Sequence, residues 1–318
     1  MTLPARKPDW LRVRLPAGPQ QQGFVALKER FRARGLHTVC EEARCPNIFE
    51  CWGQGTATIM ILGDTCTRGC RFCSVQTGKP GGVVDAMEPE NTAQALEQMG
   101  LAYVVITMVD RDDLSDGGAA HVADTVRRVK ARCPELLVET LVGDFRGDQA
   151  DIQTIVGEGR PDVFAHNVEV VPRLQRAIRD ARCSWDQSLS ALQLARNAGA
   201  HVTKSSLMVG IGEEEDEVLD AMQGLRRADV DVLTIGQYLR PTKRHAPVDR
   251  YVDPEEFARY EQAGLQMGFK YVASGPLVRS SYRAAEAFMH GMLTRQDSRE
   301  EAPRMDRYGK KTRLSVVT

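Results

Sequence analysis

The sequence predicts an α/β fold: a partial (β/α)6-type barrel, TIM-like, with an extension at each end. Three observations predict it. Short apolar runs recur along the chain, with charged, amphipathic stretches between them. Continuous apolar strands alternating with helices are the pattern of a parallel sheet buried on both faces. The unusual polar residues fall just after the apolar runs, where a β/α barrel builds its reactive face. The length, 318 residues, admits two domains, but one barrel also reaches it. The chain divides into an N-terminal extension (1–55), the barrel (56–275) and a C-terminal extension (276–318).

The elements follow in order. Residues 1–35 read as an arm punctuated by proline that ends in a short helix around Phe24–Arg34. An irregular segment with Cys40, Cys45 and Cys51 comes next. Strands are expected at Ala57–Leu62, Tyr103–Thr107, Leu136–Leu141, Val163–Asn167, Val202–Val209, Val232–Ile235 and Tyr271–Ala273. Helices are expected at Ala119–Arg132, Ser188–Ala198, Glu214–Arg227 and Pro254–Met267. The last stretch, Thr294–Thr318, is charged and weakly periodic and reads as a mobile surface tail. No internal repeat or low-complexity segment interrupts this rhythm.

Composition narrows the function. Lys plus Arg total 42 and Asp plus Glu 43, so no basic excess marks a nucleic-acid binder. No apolar run reaches the ~20 residues of a membrane span. The first ten residues lack the apolar core of a secretory signal, and Asp9 and early prolines speak against a transit peptide. A reducing cytoplasm is therefore expected, where clustered thiols bind metal more often than they pair.

Six of the eight cysteines fall in two triplets within 34 residues. The second is Cys66, Cys70 and Cys73, spaced C-x3-C-x2-C, with Phe72 before the last. Three thiolates on one loop can hold three irons of a [4Fe–4S] cluster and leave the fourth open to another ligand. Gly69 lets the loop turn tightly. A zinc site is the alternative, but zinc takes four closed ligands, and no fourth Cys or His stands at knuckle spacing. The spacing resembles the radical S-adenosylmethionine (SAM) superfamily, and the barrel is then of the radical SAM type. The resemblance implies that the open iron chelates SAM, and that one electron splits SAM to a 5′-deoxyadenosyl radical. For the rest of SAM, Gly210 and Gly212 are candidates for backbone approach to the adenine. Asn167 and Glu169 are candidates for the ribose or methionyl part, or are merely solvated strand-end residues. Arg240 joins this cofactor-binding set.

The first triplet, Cys40, Cys45 and Cys51, is spaced C-x4-C-x5-C and continues through Pro46-Asn47-Ile48 to Trp52. Further on stand Met108-Val109-Asp110-Arg111-Asp112-Asp113-Leu114, Asp144-Phe145-Arg146-Gly147 and His166-Asn167-Val168-Glu169. Thr203-Lys204-Ser205, Gly236-Gln237-Tyr238-Leu239 and Gly275-Pro276-Leu277-Val278-Arg279-Ser280-Ser281-Tyr282 follow. In this order the segments resemble the lipoyl synthase family, from about Lys7 to Arg283. Gly63-Asp64-Thr65 departs from the family's usual Gly-Glu-Phe, away from any ligand position.

That resemblance implies an auxiliary [4Fe–4S] cluster on Cys40, Cys45 and Cys51, with Ser281 as fourth ligand and Ser280 as fallback. A serine oxygen is a harder ligand than thiolate, which suits a cluster that comes apart. It also implies insertion of two sulfur atoms at C6 and C8 of a protein-bound octanoyl-lysine, with Cys66, Cys70, Cys73 and Ser281 central to catalysis. Expected partners are octanoylated lipoyl carrier domains (2-oxoacid dehydrogenase E2 and glycine-cleavage H protein). A ferredoxin or flavodoxin-type electron donor and an iron–sulfur carrier protein complete the set. Neither nucleic acid nor membrane is expected.

Some residues stay open. Arg111, Asp112 and Asp113 either order the SAM amine or close the barrel rim. Lys204 is either a salt-bridge partner or a charge near substrate. Glu213 to Glu217 read as the acidic first turns of a helix. Cys133 and Cys183, outside both triplets, read as buried or unremarkable free thiols.

Overall fold

The computed structural model describes residues 7–11, 37–38, 47 and 56–280. The first cysteine triplet, the helix expected over Phe24–Arg34, Trp52, Ser281 and the charged tail lie outside the described residues. The strands are β1 (His37–Thr38), β2 (Thr56–Ile61), β3 (Thr65–Cys66), β4 (Gln76–Thr77), β5 (Tyr103–Met108), β6 (Leu137–Leu141), β7 (Val163–Ala165), β8 (Val202–Val209), β9 (Val232–Gln237) and β10 (Tyr271–Gly275). Eight of them form one sheet in the order β1-β2-β5-β6-β7-β8-β9-β10. β1 is antiparallel to β2, and every other neighbouring pair is parallel. Among the described residues β1 and β10 do not pair, so the barrel is partial.

Successive side chains of a strand point to opposite faces, and each face here has its own core. Val104 and Ile106 of β5 pack with Val122, Val126 and Val129 of the helix Ala119–Arg132. Those three recur at helical spacing, which is why both ends of that helix were readable. Leu207 and Val209 of β8 meet Val218, Met222 and Leu225 of the helix Glu215–Arg227 in the same way. Tyr103 and Val105 face the other side, where Val163, Val202 and Val232 join them in a cluster made of strands alone. Burying each such side chain contributes about 1.5–3 kcal/mol.

Caps explain most boundary differences. The helix expected from Ser188 begins at Trp185, because the Ser184 hydroxyl accepts from Gln187 N at 3.1 Å. The strand expected to run to Asn167 ends at Ala165, and Glu169, at φ 67°, turns the chain away. A helix at Glu88–Glu97, started by Pro89, had no strong signal in the sequence. Glu214 and Glu217 form a reciprocal cap, whereas Glu213 is buried and accepts from Gly210 N and Ile211 N.

Lys204 proves to be a structural partner. Its Nζ lies 2.7 Å from Glu139 Oε2, both side chains are fully buried, and Tyr103 OH donates to the same oxygen at 2.6 Å. Removing one member of a buried pair strands the other charge, at a cost of about 3–5 kcal/mol. Lys204→Met is therefore expected to lower stability by that amount in urea unfolding, and Lys204→Met with Glu139→Leu to recover most of it. Equal loss in the single and double variants would contradict this account.

Candidate active site

A cavity of about 510 Å³ opens at the C-terminal ends of the strands. Cys66, Cys70 and Cys73 line it, together with Asp110 after β5, Asn167 and Glu169 after β7, and Arg240 after β9. Much of the remaining wall is apolar, with Met60, Leu141, Met208 and Leu239 among its members.

The cysteine loop is clipped shut at its base. β3 pairs with β4, Cys66 opposite Thr77, and Gly78 N donates to Cys66 O at 2.9 Å. Arg68, inside the C-x3-C spacing, is 4% exposed. Its guanidinium makes two bonds to Asp112, at 3.0 and 2.9 Å, and two to Asp144, both at 2.9 Å. Thr67 N donates to Asp110 O at 2.9 Å and Gly69 N to Asp180 Oδ2 at 2.8 Å. The loop is thus fastened to the ends of β5 and β6 and to the segment after β7. Burial would raise the Asp144 carboxyl, but the Arg68 bonds outweigh it and hold the group at about 2.

The thiols are held protonated. Burial, then the Asp110 charge, pushes Cys66 up to about 12. Burial also raises Cys73. Cys70 is raised by its hydrogen bond with Cys183 and then by burial. Such thiols ionise when a metal displaces the proton, so binding is linked to proton release. Among the described residues no three His, Cys, Asp or Glu side chains crowd closely enough for a single ion. Three sulfurs spread along one loop suit a polynuclear cluster, and the donor set fits it.

The polar wall is short of hydrogen-bond partners. Asn167 donates to Glu169 and leaves its buried Oδ1 without a partner. Arg179, 7% exposed, donates through Nη1 to Ser188 Oγ at 2.8 Å and Gln175 Oε1 at 3.1 Å, while its Nε has none. Burial raises Glu169, and burial pushes Asp110 up to about 6 against the opposing Arg68 charge. A cation arriving in the cavity would lower both.

His166 closes the network. Its Nδ1 lies 2.8 Å from the Val142 carbonyl, which can only accept, so Nδ1 carries the proton and Nε2 accepts from Ser188 Oγ at 3.0 Å. Burial lowers the ring to about 4, against the opposing charge of Asp144. A depressed folded value means full stability above the unfolded value of 6.5 and loss as pH falls through 4. The stability gap between the protein and its His166→Gln variant should narrow by up to about 3 kcal/mol from pH 7 to pH 4. A gap that stays constant across that range would refute the neutral ring.

Several residues fall elsewhere than expected. Gly210 and Gly212 are not among the cavity's lining residues. Gly210 instead packs where a Cβ would meet Arg250 O at 2.4 Å. Arg240 does reach the lining, but its guanidinium spends bonds on the His245 and Lys243 carbonyls. Arg111 is buried and bridges Asp113 to the carbonyls of Leu62 and Val83, so it braces loops. Cys183 is a buried free thiol, as expected, and stands in the cavity wall, hydrogen-bonded to Cys70, with Arg68 Nη1 at 3.4 Å.

Known proteins extend these findings. The family model described as the Radical SAM superfamily matches residues 60–225, and the N-terminal domain of lipoyl synthase matches residues 3–45. A lipoyl synthase of Sorangium cellulosum is 58% identical over 91% of this chain and 81% of its own. A mitochondrial lipoyl synthase of Fusarium vanettenii is 55% identical over 93% of this chain and 73% of its own. The chain belongs to the lipoyl synthase family. Fold neighbours of low identity agree on architecture. The FeFe-hydrogenase maturase HydG from Carboxydothermus hydrogenoformans superposes with a TM-score of 0.54 at 12% identity, over 80% of this chain and 70% of that one. Methylornithine synthase gives 0.50 at 15%, over 89% of both.

Within this lipoyl synthase fold, Arg68, Asp110, Arg179 and Cys183 are the site residues that sequence reasoning passed over. Arg68 had one available signal, its place between two cluster cysteines. Arg179 and Cys183 had none, since they reach the cavity on the segment that runs from β7 to the helix Trp185–Asn197.

Proposed function

We propose that the chain works as a radical SAM lipoyl synthase, inserting two sulfur atoms at C6 and C8 of a protein-bound octanoyl-lysine. One observation carries the reading: Cys66, Cys70 and Cys73 share a single cavity at the strand ends with the unpartnered Oδ1 of Asn167. In this reading Cys66, Cys70 and Cys73 hold one [4Fe–4S] cluster, and Cys40, Cys45, Cys51 and Ser281 hold the auxiliary one. When bound, the first cluster and SAM supply one-electron chemistry, and the auxiliary cluster supplies sulfur.

The chain's own residues do the holding. An octanoyl carbon has no acidic hydrogen, so no side chain need act as base on it. Arg179 suits the SAM carboxylate, and Asp110 and Glu169 suit its ammonium. Met60, Leu141, Met208 and Leu239 offer the alkyl chain an apolar wall and keep water away. The N-terminal part (1–55) and the C-terminal part (276–318) serve the auxiliary cluster, and 56–275 the barrel.

The octanoyl group arrives on a small carrier: a 2-oxoacid dehydrogenase E2 lipoyl domain or the glycine-cleavage H protein. A ferredoxin or flavodoxin-type protein supplies electrons, and an iron–sulfur carrier protein restores the auxiliary cluster. The setting is the cytoplasm. Among the described residues no helix is long and apolar enough to cross a membrane.

The test is direct. Anaerobic protein with both clusters, SAM, a reductant and an octanoyl-lysyl peptide should yield the peptide with two added sulfurs by mass spectrometry. Formation of 5′-deoxyadenosine without sulfur in the peptide would overturn the sulfur-inserting function. No 5′-deoxyadenosine at all would overturn the radical SAM reading.

A further inference from the structure

Many exposed arginines of this chain are matched by carboxylates: Arg132 bridges Glu90 and Glu97, Arg173 bridges Glu217, and Arg259 bridges Glu215. Around the outer face of the cysteine loop the matching stops. Arg71, Arg176, Lys243 and Arg244 are all exposed, and among the described residues none of them has a carboxylate partner. Asp180, the acid beside this loop, is already taken by Arg182 at 2.8 Å. Arg71 ties the segments together. Its backbone N donates to Ile178 O at 2.7 Å, its Nη1 donates to Ala177 O at 3.0 Å, and its carbonyl accepts from Ala246 N at 2.9 Å. The short helix Gln175–Ile178 and the loop that follows β9 therefore flank the cysteine loop on either side. His245, beside Arg244, places its Nε2 2.9 Å from the Cys73 carbonyl. None of the four cations lines the cavity.

We propose that this basic patch docks an acidic one-electron donor protein, which then faces the loop of Cys66, Cys70 and Cys73 from outside the barrel. The proposal rests on reading that triplet as the holder of the SAM-cleaving cluster. One electron leaves the donor for the cluster, and no atom moves with it. The place of the patch selects this occupant over the octanoylated carrier. A carrier has to send its alkyl chain into the cavity and so sits against the lining, whereas an electron needs only nearness to the cysteine loop. Like charges gathered on one face repel one another, so the patch does nothing for folding. It does raise the encounter rate with an acidic surface by about 10–10³-fold, an effect that salt removes.

Arg176→Glu with Arg244→Glu tests the patch in protein loaded with both clusters. Formation of 5′-deoxyadenosine from SAM is followed with reduced flavodoxin, with reduced ferredoxin, and with dithionite, a small reductant that needs no docking. With at least one protein donor the parent should cleave SAM at a rate that falls severalfold between about 50 and 300 mM salt. With that donor the variant should lose at least about tenfold and become insensitive to salt, while its iron content and dithionite-driven cleavage stay within about twofold of the parent. The milder pair, Arg176→Gln with Arg244→Gln, should fall between the two, and it carries the comparison should the glutamates disturb folding. Equal donor-driven rates in parent and variants would overturn the proposal, as would a parent that neither protein donor serves. Variants that keep donor-driven cleavage but no longer saturate with an octanoylated lipoyl domain would assign the patch to the carrier and overturn it too. No cleavage even with dithionite in the parent would overturn instead the SAM-cleaving reading on which the patch depends.

Discussion

Cys70→Ala is expected to end SAM cleavage altogether while the auxiliary cluster keeps its iron. The two remaining thiols of the loop, Cys66 and Cys73, cannot hold three irons of a cube, and both are raised by burial. Iron per chain should fall from about eight to about four, and 5′-deoxyadenosine should drop to the level found without protein. The position of Cys183 makes the experiment sharper. It is hydrogen-bonded to Cys70 in the same wall, so its own replacement controls for substitute ligation. Residual cleavage in Cys70→Ala that vanishes in Cys70→Ala with Cys183→Ala would mean that this neighbour had taken over as ligand. Residual cleavage in the double variant, or loss of all iron from the single one, would contradict the assignment of the triplet.

Arg68→Met should cost about 3–5 kcal/mol of folding stability, the usual result of stranding buried charge. Its side chain holds Asp112 and Asp144 in two-bond clasps, and Asp110 lies 3.6 Å away. Without the guanidinium, three carboxylates face one another beneath the cysteine loop. With typical stabilities of about 5–15 kcal/mol, such a loss would be large. The effect should also depend on pH. Asp144 is held at about 2, so its share of stability is present above the ordinary value of 3.8 and disappears as pH falls through 2. The deficit of the variant should therefore shrink in strong acid. Urea unfolding at pH 7 and pH 3 measures both, and a deficit under about 1 kcal/mol at pH 7 would show that Arg68 is not the fastener of the loop.

The frame of this protein was legible because it rests on local pattern. Val202–Val209 is a β-branched and apolar run broken only by Lys204 and two serines, and β8 occupies the same span. Ala119–Arg132 repeats its apolar residues at helical spacing, and that helix too keeps its bounds. That Cys66, Cys70 and Cys73 would meet in one place was legible by spacing alone, since one loop carries them. Asp110, Arg179 and Cys183 come from separate segments, and only the curvature of the sheet brings them to one wall. No periodicity records that meeting. Gly210 and Gly212 lie outside the lining of the cavity for a related reason. A G-x-G pair signals a tight turn without saying what the turn approaches, and here it wraps the buried Glu213 carboxylate. Lys204 was ambiguous because a lysine in a strand has either a partner or a task, and Glu139 lies 65 positions away.

The strand-only cluster of Tyr103, Val163, Val202 and Val232, roofed by the Lys204–Glu139 pair, stoppers the barrel at the end opposite the cysteines. That end of the described barrel is therefore filled. A group entering at the strand ends that carry the cysteines meets a floor of packed strand residues. A cargo needing two successive alterations can be worked on twice in one descent, for as long as its bearer stays at the rim.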